Sequence, residues 1–114
     1  MPLIKMQTSV PIDPAKQDNI MKSLSDIVAQ NTGKPAAYVM VAIEQTPIML
    51  GEQSGNAVLF DIRSIGALNQ SVNGAMTESL CKFCSDELNI PADRVYASFT
   101  DVARSNWGWN GNTF

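Results

Sequence analysis

The chain repeats itself at a spacing of 56 residues, and this constrains its fold more than any other feature. Leu3-Ile4 falls on Leu59-Phe60, and Pro35-Ala36-Ala37-Tyr38-Val39 falls on Pro91-Ala92-Asp93-Arg94-Val95. Each half reads strand, helix, strand. In the first half, Leu3-Ile4-Lys5-Met6-Gln7 alternates loosely between apolar and polar, as a strand does. Asp13-Pro14 predicts a helix start, with aspartate as the cap and proline in the first turn. Ile20, Met21, Leu24, Ile27 and Val28 then share one helical face. Gly33 is placed to stop the helix, and Tyr38 to Ile43 reads as a buried strand.

The second half follows the same order. Val58 to Ser64 is a strand, and Val72, Met76, Leu80, Phe83, Cys84 and Leu88 mark the apolar face of a helix. Arg94 to Phe99 closes the unit as a strand. The fold class expected is α+β: a duplicated β-α-β unit giving a four-stranded mixed sheet with two helices on one face. A short strand is added in the C-terminal tail. Residues 1–114 form one domain, with pseudo-repeats at 2–46 and 58–101. Apolar residues occur on both faces of the strands (Leu59, Phe60, Ile62; Val39, Met40, Val41), more than two helices bury. Oligomerisation through the open sheet face is therefore expected.

Composition removes several classes of function. Of the 114 residues 45% are hydrophobic and 17% charged, which is globular, and the net charge of −3 suits neither nucleic acid nor a membrane surface. Met1 to Lys5 runs straight into polar Gln7-Thr8-Ser9, so no signal peptide is read, and no apolar run reaches membrane-spanning length. A cytoplasmic location is expected, with release by a route needing no signal peptide as the alternative. There is no histidine. This takes away the usual neutral-pH base, the Ser-His and Cys-His pairs, and the commonest zinc ligand. Acid–base chemistry must come from carboxylates, lysine, tyrosine, cysteine or the chain terminus.

Pro2 is the best base on offer. Initiator methionine is generally removed before proline, leaving a secondary amine that titrates near neutrality when buried or beside a cation. Taken alone, proline at position 2 is uninformative in most proteins, and Lys34 is an ordinary lysine at a helix C-terminus. The aromatic tail, Trp107, Trp109 and Phe114, packs on its own subunit, on a neighbour, or along a pocket.

Six short motifs change that balance. Met1-Pro2, Val10-Pro11, Thr32-Gly33-Lys34-Pro35, Ser64-Ile65-Gly66, Asp93-Arg94-Val95-Tyr96, and Gly108-Trp109-Asn110 with Thr113-Phe114 occur in this order from end to end. In these motifs and their spacing the chain resembles the family of macrophage migration inhibitory factor and D-dopachrome tautomerase. The resemblance implies a homotrimer with active sites between subunits. It implies cofactor-free and metal-free keto–enol tautomerisation of phenylpyruvate-like and D-dopachrome-like carbonyl compounds. Pro2 would be the base, while Lys34 and the backbone at Ile65 would bind the substrate's acid group or oxyanion. Tyr96 of the adjacent subunit would line the pocket, and Trp109 and Phe114 would form its apolar mouth.

Two departures bear on substrate preference. Ser98 stands where the family's animal members carry asparagine, and Trp107 replaces a smaller aliphatic residue at the pocket entrance. A third departure concerns redox chemistry. Members linked to thiol–disulfide exchange carry Cys-x-x-Cys where this chain has Ala57-Val58-Leu59-Phe60. Its own pair, Cys81 and Cys84, falls inside the second helix, away from the helix N-terminus that activates thiolates, and reads as structural. The competing reading is a cytokine-like binding protein on the same fold with vestigial catalysis. The sequence does not identify a receptor surface.

Overall fold

A computed structural model describes all residues from Met1 to Phe114. Strand β1 (Pro2–Thr8) leads to helix α1 (Gln17–Thr32), a 3-10 turn at Ala36–Tyr38, and strand β2 (Met40–Gln45). A small hairpin follows, β3 (Met49–Leu50) and β4 (Gln53–Ser54). The second unit is β5 (Val58–Ser64), α2 (Gln70–Leu88), a 3-10 turn at Ala92–Arg94 and β6 (Val95–Asp101). The 56-residue shift carries β1 onto β5 and one 3-10 turn onto the other, end for end.

The main sheet has the order β2-β1-β5-β6. β1 and β5 run antiparallel at its centre, and each pairs in parallel with the closing strand of its own unit. Residues alternate across a strand, so Ile4, Met6, Phe60 and Ile62 face one side together. There they meet Leu24 and Val28 of α1 and Met76, Leu80 and Cys84 of α2 in one core, all at 0% exposure. Each such side chain contributes about 1.5–3 kcal/mol through burial.

Four details differ from the sequence reading, each for a physical reason. Helix α1 begins at Gln17, because Asp13 spends its carboxylate on the Ala15 N–H (2.9 Å) and its carbonyl on the Lys16 N–H (2.9 Å), closing a separate turn. Tyr38 belongs to a 3-10 turn rather than to a buried strand, and is 53% exposed. β2 itself is an edge strand and only partly covered. Arg94 also lies in a turn; its guanidinium clamps the carbonyls of Leu50, Gln53 and Asn56 at 2.9–3.2 Å. Finally, the tail forms its own hairpin, β7 (Gly108–Trp109) with β8 (Asn112–Thr113), rather than a single strand.

The open face of the sheet is more polar than the sequence suggested. Its rows read Met40–Leu3–Arg63–Thr100, Ala42–Lys5–Asp61–Ser98 and Glu44–Gln7–Leu59–Tyr96. The apolar residues of β2 divide between the faces: Val41 and Ile43 turn to the helices, whereas Met40 is 67% exposed on the open side. Lys5 pairs with Glu44 at 3.8 Å and Arg63 with Asp61 at 3.2 Å, so charge pairs rather than an apolar sheet occupy this face.

Candidate active site

Helix α1 ends because Gly33 enters the left-handed region (φ 72°) and returns its N–H to Ala29 at 2.9 Å. Pro35, with φ −62°, then fixes an extended chain that crosses the sheet end toward β2. Between them sits Lys34, half-buried at the C-terminal end of the helix dipole, where a cation is favoured. β2 pairs with β1 from Leu3↔Met40 onward, so this crossing passes the start of β1. Pro2 is the first residue of that strand, and its ring is buried on the helix side of the sheet.

Electrostatics tie the terminus to this lysine. Burial, and then the Lys34 charge, hold the terminal amine below its ordinary value. In the full chain that amine belongs to Met1, one residue before the Pro2 nitrogen. Both causes act against the protonated form.

On the other side of Pro2 is β5, where Pro2 pairs with Ser64. Ser64 is fully buried, and its hydroxyl has no hydrogen-bond partner. Ile65 follows in a tight loop of two successive left-handed residues, Gly66 (φ 70°) and Ala67 (φ 64°). For alanine that conformation costs about 1–2 kcal/mol. The Asp101 carboxylate secures the loop by accepting the Gly66 N–H at 2.9 Å.

One chain thus brings together Pro2, Lys34 and the Ser64–Ile65 corner. It does not bring the remaining candidates to them. Tyr96 shares a row with Gln7 and Leu59, five residues along β1 from Pro2 and on the opposite face. That is roughly 17 Å at about 3.3 Å per residue. Ser98 lies mid-sheet on the same open face, in the row of Lys5 and Asp61. In the tail, Trp109 stacks on Phe114 with ring centroids 6.0 Å apart and planes 8° from parallel. Trp107 is half-buried behind them, its carbonyl accepting the Phe114 N–H at 3.2 Å. A concavity of about 600 Å³ lies elsewhere: Pro11, Ile12, Ile20 and Phe83 line it beyond Thr8, at the far end of β1 from Pro2.

The comparisons with known proteins cover the whole chain. The sequence pattern described as macrophage migration inhibitory factor matches residues 1–114. The chain belongs to the macrophage migration inhibitory factor family. The Xenopus laevis protein of that name is 36% identical over 115 residues, covering 100% of this chain and 99% of its own. Among solved structures, the factor from Toxoplasma gondii superposes with a TM-score of 0.93 at 32% identity, covering 98% of this chain and 99% of its own. The homologue from Prochlorococcus marinus gives 0.91 at 36% identity, covering 98% of each chain. No helix of this family member is long and apolar enough to cross a membrane.

Sequence reasoning overlooked two residues. Ser64 was read as part of a motif and not as a group with an unmet hydrogen-bonding need. The repeat held the signal, since the shift aligns Ser64 with Thr8. Asp101 is only the bound of the second repeat in the sequence, and nothing there marks it as the anchor of Gly66. The cysteines are as the helical stripe implied: both are free, with Cys84 in the core and Cys81 half-buried beside it. Burial, with Cys81 second, pushes the Cys84 thiol up to about 12, far from a reactive thiolate.

Proposed function

We propose that the chain is a cofactor-free keto–enol tautomerase of phenylpyruvate-like and D-dopachrome-like carbonyl compounds, working as a homotrimer with Pro2 as base once Met1 is removed. The observation that carries this reading is the setting of the chain terminus: β1 starts on a buried Pro2, and just before it burial and the Lys34 charge disfavour the protonated form of the Met1 amine. A terminal amine pushed toward its neutral form, in a chain without histidine, is suited to abstracting a proton beside a carbonyl.

In the reaction the α-proton passes from carbon to the Pro2 nitrogen. The C–H electron pair becomes the C=C bond, and the carbonyl π pair moves onto oxygen. The Lys34 ammonium and the Ile65 N–H stabilise that oxygen until it takes up a proton. Protons change place and no electrons leave the substrate. Tyr96, far from Pro2 in its own chain, serves the pocket of a neighbouring subunit, with Ser98 on the same strand. The Trp109–Phe114 stack closes the mouth, which Trp107 narrows.

The test compares processed protein with a form that keeps Met1. In the processed protein, kcat/KM toward phenylpyruvate rises with pH and levels off above the pKa of the free amine. Lys34→Ala moves that profile to higher pH and lowers its plateau, because the ammonium loses a like-charge neighbour and the enolate loses its cation. The Met1-retaining form is inactive, since its Pro2 nitrogen is an amide. Equal activity of the two forms overturns the reading.

A further inference from the structure

Ser64, the last residue of β5, is 0% exposed, and its hydroxyl bonds to nothing in the chain. A buried hydroxyl left without a partner costs stability, so an orphan of this kind calls for a reason. The repeat supplies an internal control. The 56-residue shift aligns Ser64 with Thr8, also 0% exposed, at the end of the matching strand. The Thr8 hydroxyl donates to the Ala57 carbonyl at 2.9 Å and accepts the Val10 N–H at 3.1 Å. One hydroxyl is therefore saturated by its own backbone, and its counterpart is kept free.

What each hydroxyl faces across the sheet also differs. Thr8 pairs with Val58, which has no polar group to offer, whereas Ser64 pairs with Pro2. The Ser64 carbonyl accepts the Val102 N–H at 2.8 Å and so turns toward the β6 side. Pro2 and Ser64 are then a non-hydrogen-bonded antiparallel pair, the kind in which side chains approach closest, with Cα atoms about 4.5 Å apart. Both side chains are buried on the helix side of the sheet.

We propose that Ser64 is a positioning residue for the base: its hydroxyl accepts the N–H of the Pro2 amine, directly or through one ordered water, and so aims the nitrogen lone pair at the substrate. The inference rests on the reading of Pro2 as base. A secondary amine has one N–H and one lone pair in its neutral form, so fixing the first fixes the second.

The charged and titratable groups around this corner are few. Lys34 comes from the crossing into β2, and Tyr38 from the turn after it. Asp101 at the end of β6 is engaged by Gly66 at 2.9 Å, and Arg63 on the open face by Asp61 at 3.2 Å. Arg104 lies in the turn beyond β6. The last turn of α1 (Gln30, Asn31, Thr32) and the first of α2 (Gln70, Asn73), with its cap Asn69, carry no charge. A hydrogen bond to Ser64 is stronger from the ammonium than from the neutral amine, so the hydroxyl raises the amine's pKa.

The experiment uses processed protein with Pro2 labelled in nitrogen-15, comparing wild type, Ser64→Ala and Ser64→Thr by NMR titration and by the pH dependence of phenylpyruvate turnover. In Ser64→Ala the amine titrates at lower pH, and kcat falls about 3- to 10-fold with little change in KM. Ser64→Thr, the residue that the repeat already accommodates at position 8, restores both. Melting checks that each variant is folded, and loss of this one hydrogen bond costs only a fraction of the domain's stability. A Ser64→Ala amine that titrates as in wild type, with unchanged kcat, overturns the proposal. Failure of the base reading looks different: turnover in wild type ignores the amine's ionisation, while the titration still decides whether Ser64 touches it.

Discussion

Gly33 ends α1 directly before Lys34, and replacing it with alanine tests the left-handed cap. Its backbone stands at φ 72°, ψ 10°, closing α1 onto Ala29, and a Cβ added there meets no atom within 4 Å. There is no clash to relieve, so the cost of Gly33→Ala is the left-handed backbone alone. For an L-residue this is about 1–2 kcal/mol, partly offset by the lower unfolded-state entropy of alanine. A net loss of about 1 kcal/mol lowers Tm by about 4 °C in a domain of this size. Asn89, the matching cap of α2 at φ 54°, is the control. Asn89→Ala costs a similar or smaller amount, and Asn89→Gly gains a few tenths of a kcal/mol.

The assay is thermal melting at one fixed protein concentration, since association would otherwise shift Tm, paired with the pH–rate profile. Lys34 follows Gly33 directly, so Gly33→Ala also displaces the cation and moves the profile toward higher pH. The Asn89 variants, at the other end of the repeat, leave the profile where it was. An unchanged Tm in Gly33→Ala, or a destabilised Asn89→Gly, would refute the assignment of the left-handed caps.

The other predictions concern the loop, the thiols and the assembly. Asp101→Ala frees the Gly66 N–H and loosens the Ile65 corner, lowering kcat/KM about 10-fold on the scale of a lost charge-assisted hydrogen bond; Asp101→Asn, which keeps an acceptor, recovers most of it in the same steady-state assay. The Cys84 thiol is raised by burial, so the neutral form is the one the fold favours. Its contribution is complete below the unfolded pKa near 9 and declines as pH rises toward about 12. Melting curves across that range show this decline, and Cys84→Ala flattens it. Insulin reduction stays at background, and activity that disappears in the Cys81→Ser, Cys84→Ser double variant would contradict the structural role of these thiols. Sedimentation gives about three times the 12.4 kDa chain mass; a stable monomer at micromolar concentration removes the shared pocket.

The repeat made most of the fold legible, because period and spacing are set by which side chains face the core. Val58–Ser64 could be bounded from its apolar pattern alone, and Gly33 could be read as a stop from its place after Val28. What misled was local competition that pattern does not register. Asp13 could cap a helix or close its own turn, and only the spent hydrogen bonds show which. Tyr38 continues an apolar run in sequence yet belongs to a turn, since Pro35 starts a 3-10 segment that lasts through Tyr38. At the site, residue type pointed to Pro2 and the family resemblance to Lys34, but Ser64 and Asp101 matter through burial and partnership, which composition does not encode.

The two ends of the central strand pair show why the chemistry belongs at only one of them. The shift that carries Pro2 onto Val58 carries Lys34 onto Ile90 and Thr8 onto Ser64. At the Val58 end the chain runs through from Ala57 without a terminus, Ile90 is 0% exposed, and Thr8 is saturated by backbone. That end is a closed piece of core. At the Pro2 end each equivalent position is left unfinished: an amine in place of a peptide link once Met1 is gone, a cation in place of a buried isoleucine, and a hydroxyl without a partner. Putting the closed end's residues into the open end should therefore silence the site without harming the fold. Lys34→Ile is the direct trial. It removes the one charge that holds the terminal amine down after burial, so the pH–rate profile moves up and the plateau falls, while melting shows the stability kept, because the fold already accepts isoleucine at the matching position. A Lys34→Ile protein that keeps its rate and its profile would mean that the contrast between the two ends has no part in catalysis.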